Sequence, residues 1–135
     1  MTLGVFHQVY TRPKATEEAI KSFRQFHPDN PYVLICGGGK SFHRVAKKYN
    51  CLYVHKEDNL GYRDHTHESG IYGMTKVEVL EWLDRFRLAC TLCNTDHILM
   101  MEDDILIRNE IHAPEEWECA GQAKPGDLFQ EPVMT

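Results

Sequence analysis

Four short apolar runs, each separated from the next by a segment of helical periodicity or a long loop followed by one, constrain this chain more than any other feature. Leu3 to Val9 alternates loosely and stops before Thr11-Arg12-Pro13, where a proline ends a strand. Ala15, Ala19, Ile20, Phe23 and Phe26 then recur at three- and four-residue spacing until His27-Pro28-Asp29-Asn30-Pro31 turns the chain. Tyr32-Val33-Leu34-Ile35-Cys36 reads as a second buried strand, followed by a Gly37-Gly38-Gly39 turn. Ser41 is placed to cap the next helix, whose inward stripe is Phe42, Val45, Ala46 and Tyr49. Cys51 to His55 supplies a third strand. Strands alternating with helices predict an α/β fold, with an open, mostly parallel sheet, right-handed crossovers and helices on both faces.

From Lys56 to Gly73 the chain is polar and aperiodic, which predicts a long loop of the kind that often carries function. Thr75-Lys76-Val77-Glu78 is a capping box, and Val79, Leu83, Phe86, Cys90 and Cys93 are the expected core stripe of the helix it opens. That helix leads into Ile98-Leu99-Met100-Met101, read as a central strand buried on both faces. Residues 1–114 form the expected domain, and 115–135 a short C-terminal tail.

The last strand delivers Glu102, Asp103 and Asp104 to its C-terminal end, where open α/β sheets bind ligands. Three adjacent carboxylates repel one another, so the cluster suits a hard cation, Mg²⁺ or Mn²⁺, bridging carboxylates to phosphate oxygens. The competing interpretation is a solvated turn, where Asp is common. Arg12 after the first strand and Arg63 in the long loop are placed to reach the same sheet edge and pair with a diphosphate, although single arginines more often make weak surface pairs.

Other constellations carry less. Gly37-Gly38-Gly39-Lys40-Ser41 resembles a phosphate-binding P-loop, yet the glycine required five positions before the second one is Leu34, inside a strand. An NTP-binding role is the minor alternative. Cys90-Thr91-Leu92-Cys93 lies near a helix C-terminus, where the dipole opposes a thiolate, so core packing accounts for it. His65-Thr66-His67-Glu68 offers metal ligands but suits polar surface equally.

Composition narrows the function classes. A formal net charge of −5 with no clustered basic face argues against nucleic acid, since Lys40, Arg44, Lys47 and Lys48 read as one outer helix face. No apolar run is long enough to span a bilayer. Five cysteines without framework spacing fit a reducing compartment, so a cytoplasmic location is expected.

Taken together, residues 3 to 114 resemble the nucleotide-binding half of a GT-A glycosyltransferase. The likeness rests on Thr11-Arg12-Pro13 after the first strand, on Glu57-Asp58-Asn59-Leu60-Gly61-Tyr62-Arg63 as an Asn-x-Gly loop, on the helix that runs into the apolar strand, and on Glu102-Asp103-Asp104 as a version of the Asp-x-Asp signature. The resemblance implies a Rossmann-like fold and transfer of a sugar from a UDP- or GDP-sugar to a carbohydrate or glycoprotein acceptor, with Mn²⁺ or Mg²⁺ as cofactor. It implies that Asp104 is the main metal ligand and that Glu102 faces the ribose or a metal-bound water, with Asp103 in support. By the same likeness Thr11 and Arg12 line the base and ribose pocket, and Asn59, Gly61 and Arg63 lie along the nucleotide-sugar. Two features depart from the family. The second strand ends in Cys36-Gly37 rather than in an acidic residue, and the segment after the acidic motif is short, with His112, Glu115 and Glu116 as its ionisable groups. A donor-binding fragment without turnover is therefore the alternative.

Overall fold

In the computed structural model, residues 2–37, 40–57 and 76–112 are described, together with 114 and 116. They form β1 (Leu3–Val9), α1 (Pro13–Phe26), β2 (Tyr32–Cys36), α2 (His43–Lys48), β3 (Leu52–His55), α3 (Lys76–Cys93) and β4 (His97–Met101). The Asn-x-Gly loop with Asn59, Gly61 and Arg63, the His65–Glu68 run, Thr75 of the expected capping box and Glu115 fall outside the described residues.

The four strands make one open, all-parallel sheet in the order β3-β2-β1-β4, compatible with a Rossmann-like fold. The chain first builds outward through β2 and β3, then returns to place β4 on the other side of β1. That reversal opens a crevice between the C-terminal ends of β1 and β4, the place where open α/β sheets bind ligands.

Period-two alternation divides the core between the two faces. Val5 and Val9 of β1 join Leu34 and Cys36 of β2 in one cluster with Ala19, Ile20 and Phe23 of α1 and Val45 and Ala46 of α2. Phe6, Val33 and Ile35 face the other way onto Ala89 and Cys93 of α3, flanked by Trp82 and Phe86. Helices thus cover both faces, as the strand–helix alternation predicts.

Local chemistry explains the ends of the elements. Pro13 at the first turn of α1 presets the helical φ and has no N–H to leave unbonded. Asn50 takes the left-handed conformation (φ 54°) after α2, while Cys51 N–H reaches Ala46 C=O at 2.8 Å and Asn50 N–H reaches Lys47 C=O at 3.4 Å. This is a Schellman closure with asparagine in the usual glycine position, and it moves the start of β3 from Cys51 to Leu52. Ser41 lies one residue ahead of the actual N-cap, Phe42, and its Oγ accepts only a long bond (3.4 Å) from His43 N–H.

Two further sequence expectations are corrected. β4 is an edge strand among the described residues rather than a central one, and Met100 is 50% exposed, because only its β1 side is paired. On α3 the inward face carries Glu78, Trp82, Arg85, Phe86, Ala89 and Cys93, while Val79 is 42% exposed. The helix is rotated from the expected stripe because polar Glu78 and Arg85 are buried on it, which periodicity of apolar residues does not register.

After β4, Ile105 N–H donates to Glu102 C=O (3.2 Å) and closes a turn over Asp103 and Asp104. The chain then runs back along α1. Ile105, Ile107 and Ile111 pack on the α1-side cluster, Ile107 N–H donates to Ser22 Oγ (2.9 Å), and Ile111 N–H donates to His27 Nε2 (2.9 Å).

Candidate functional site

A cavity of about 380 Å³ occupies the crevice at the strand reversal, lined by Phe6, Gln8, Tyr10, Thr11, Arg12, Trp82, Met100, Met101, Glu102, Asp103 and Asp104. Its size lies in the ~300–1,000 Å³ range of small-molecule sites. Five residues singled out from the sequence, Thr11, Arg12, Glu102, Asp103 and Asp104, therefore come together from opposite ends of the chain. The register explains the meeting: Phe6 pairs with Met100 and His7 with Met101, so the segments leaving β1 and β4 emerge side by side.

The cavity has an apolar and a charged part. Phe6 and Met100, neighbours on the α3 face, form the floor, and Trp82 meets Phe6 edge-on at 5.8 Å. Phe86 stacks on Trp82 at 5.6 Å and backs that wall. Tyr10 stands at the rim, its hydroxyl accepting from Gln8 Nε2 (2.8 Å), and its ring lies against Gly37. A Cβ at Gly37 would come within 2.9 Å of that ring, so the glycine lets the tips of β1 and β2 close together. Burial raises the Tyr10 pKa, opposed by the nearby charge of Arg85, and keeps the phenol protonated and able to donate.

The three carboxylates are not equivalent. Glu102 and Asp104 are exposed at the cavity mouth, whereas the Asp103 side chain is 22% exposed and engaged with the fold. Its Oδ1 accepts from His7 Nε2 (2.8 Å) and from Thr16 Oγ (2.8 Å). The Thr16 hydroxyl also lies 3.0 Å from Arg12 C=O, but it has one proton and the carboxylate is the stronger acceptor. His7, fully buried, meets the Tyr32 hydroxyl through Nδ1 at 2.6 Å. Since a carboxylate only accepts, His7 Nε2 carries a proton toward Asp103, and in the neutral imidazole Nδ1 accepts from the Tyr32 hydroxyl. Burial lifts the Tyr32 pKa far above the usual phenol range, which keeps that donor protonated.

Sequence reasoning missed His7, Thr16 and Tyr32. A usable signal was present in one place: His7 shares its strand face with Val5 and Val9, and a histidine in an apolar run needs a partner when buried.

The remaining candidates lie elsewhere. Lys40 and Ser41 are exposed between β2 and α2. His112 is exposed beside Glu110 (3.5 Å), just past Ile111 at the C-terminal end of α1. Because α1 begins at the crevice and its 14 residues rise 1.5 Å each, His112 is roughly 20 Å from the acidic turn. The Cys36 thiol donates to Lys40 C=O (3.0 Å), and burial raises the pKa of Cys51, Cys90 and Cys93. That is the behaviour of packing residues rather than of nucleophiles.

Among the described residues no group of three or more His, Cys, Asp and Glu side chains is arranged to hold a metal by itself, and no helix is long and apolar enough to cross a membrane. Glu102 and Asp104 are hard-oxygen donors, which fit a cation that takes its other ligands from a bound phosphate and water. No protein-family model, curated protein or solved structure matches this chain.

Proposed function

We propose that this chain binds a nucleotide-diphospho-sugar in the crevice between β1 and β4, as the donor-binding part of a metal-dependent glycosyltransferase of the GT-A type. The observation that carries the reading is the meeting of Thr11 and Arg12 with Glu102 and Asp104 around one cavity at the strand reversal. An anionic ligand beside carboxylates needs a positive intermediary, and Mg²⁺ or Mn²⁺ is commonly held by one or two carboxylates plus phosphate oxygens. Glu102 and Asp104 are the residues to hold it. Arg12 supplies a fixed cation for a phosphate, and Tyr10 and Thr11 offer a ring face and a hydroxyl to the nucleoside. When bound, the divalent ion acts as a Lewis acid that stabilises charge on the departing diphosphate.

Titration calorimetry with UDP tests this reading. UDP should bind with MnCl₂ and at least about tenfold more weakly without it, a difference of about 1.4 kcal/mol. Asp104→Asn should remove that metal dependence, and equal metal dependence in the variant would sink the assignment. A second reading, donor binding without transfer, is favoured by the position of His112, which lies beside Glu110 at the C-terminal end of α1, the end opposite the crevice. Sugar transfer or donor hydrolysis by the isolated chain would rule it out.

A further inference from the structure

We infer that Asp103 is a positioning residue rather than a ligand-binding one, held by a buried Tyr32–His7–Asp103–Thr16 chain so that its neighbours Glu102 and Asp104 face the crevice. This division of labour rests on the nucleotide reading above. It carries that reading further, because the resemblance gives Asp103 only a supporting part and says nothing of what holds it.

Geometry supports the inference in three ways. First, Asp103 Oδ1 already has two donors, each at 2.8 Å, one from β1 and one from α1. Engaging that oxygen with a cation would break charge-assisted bonds that keep a half-buried carboxylate solvated. Second, the chain joins four parts of the fold: Tyr32 opens β2, His7 is in central β1, Thr16 is in the first turns of α1, and Asp103 is in the turn after β4. The turn that carries the carboxylates is thereby tied to the sheet and to α1, although β4 is an edge strand among the described residues. Third, the turn's backbone bond from Ile105 N–H to Glu102 C=O encloses Asp103 and Asp104, so fixing the Asp103 side chain inward fixes where its neighbours project. Partners beyond the first ligands of a metal site commonly contribute about 10–100-fold to affinity by such orientation.

The test compares variants of the full chain by UDP titration in the presence of MnCl₂, at one pH and at a temperature where each variant has the wild-type circular dichroism spectrum. Asp103→Asn keeps an Oδ1 acceptor for both donors and should bind UDP within about threefold of wild type, whereas Asp104→Asn should lose about tenfold or more. His7→Leu, which removes the donor to Asp103, should weaken binding about tenfold, and His7→Gln, which retains a side-chain amide donor, should restore most of it. A merely structural role for His7 would lower thermal stability in both His7 variants without separating their UDP affinities. The His7 ring nitrogens, read by ¹⁵N NMR without ligand, should show the Nε2–H tautomer in wild type. Equal losses in Asp103→Asn and Asp104→Asn, or wild-type affinity in His7→Leu, would overturn the inference. Absence of UDP binding by the wild-type chain would overturn the nucleotide reading, and the NMR result would still report separately on the buried chain.

Discussion

The two faces of the sheet differ in the mix of contacts that their described residues make. On the α1 side, apolar packing is laced with polar bonds: Arg24 donates to the carbonyls of Tyr49, Asn50, His27 and Asn30, and lies over the rings of Phe23 and Tyr32. Ser22 and His27 hold the returning segment, and His7 and Thr16 hold Asp103. On the α3 side, aromatic rings and small groups make much of the contact, Phe6 against Trp82 and Phe86, and Gly4 against Cys93, with Glu78 and Arg85 buried among them and Val77, Val79 and Leu80 left exposed. One face anchors the site and the other walls its cavity. Directional bonds specify position, while apolar packing supplies surface without a unique orientation.

That contrast can be broken first at its centre. Phe23→Ala, at a side chain with no exposed surface, should cost about 3–5 kcal/mol in urea unfolding. Its counterpart Phe86→Ala, half-buried on α3, should cost only about 1–1.5 kcal/mol. Equal losses would mean that the two faces are equally packed.

Replacing Arg24 by Met keeps its apolar stem and removes the donors to four carbonyls. A loss of about 2–3 kcal/mol is expected, and a change below 0.5 kcal/mol (~RT) would show the lacing to be ornamental. On the other face, Gly4→Ala places a Cβ 2.6 Å from Cys93 Cβ and 2.7 Å from Thr95 Oγ, which forces β1 and α3 apart. About 1–3 kcal/mol should be lost, and an unchanged melting temperature would show that α3 is seated loosely enough to yield.

The smallest effect is one of pH. His27 is 6% exposed, its ring stacks on Phe23 at 4.8 Å, and its Nε2 accepts from Ile111 N–H. Burial lowers its pKa below the ordinary 6.5, opposed by Glu110 and reinforced by His112. The unfolded chain therefore takes up the proton first as pH falls. The contribution of His27 is intact above about pH 6.5 and is lost as pH drops through the lowered folded value. Urea midpoints measured from pH 7.5 to 5 should fall more steeply for wild type than for His27→Gln; parallel curves would remove His27 as the cause.

Much of this fold can be read locally. Leu3–Val9 and Tyr32–Cys36 are strands over the expected residues, and α1 covers its expected apolar stripe. The rotation of α3 was hidden because Glu78 and Arg85 sit inside, and charged residues ordinarily mark an outer face. Of the candidate site, the tips of β1 and β4 were legible as chemistry, Arg12 beside a run of three acids. What anchors Asp103 was not, since its partners His7 and Thr16 lie some 90 residues away in sequence.

Periodicity, proline and asparagine placement decided which segments are strands and helices, because backbone sterics and amphipathic burial act over a few residues. That Arg12 and the acidic run share a sheet edge was an expectation of the sequence, but that Arg12, Glu102 and Asp104 line one cavity needed the tertiary structure. It depends on β4 pairing with β1 some 90 residues away in sequence, from Leu3 opposite His97 to His7 opposite Met101, and no local preference encodes which edge a returning strand takes.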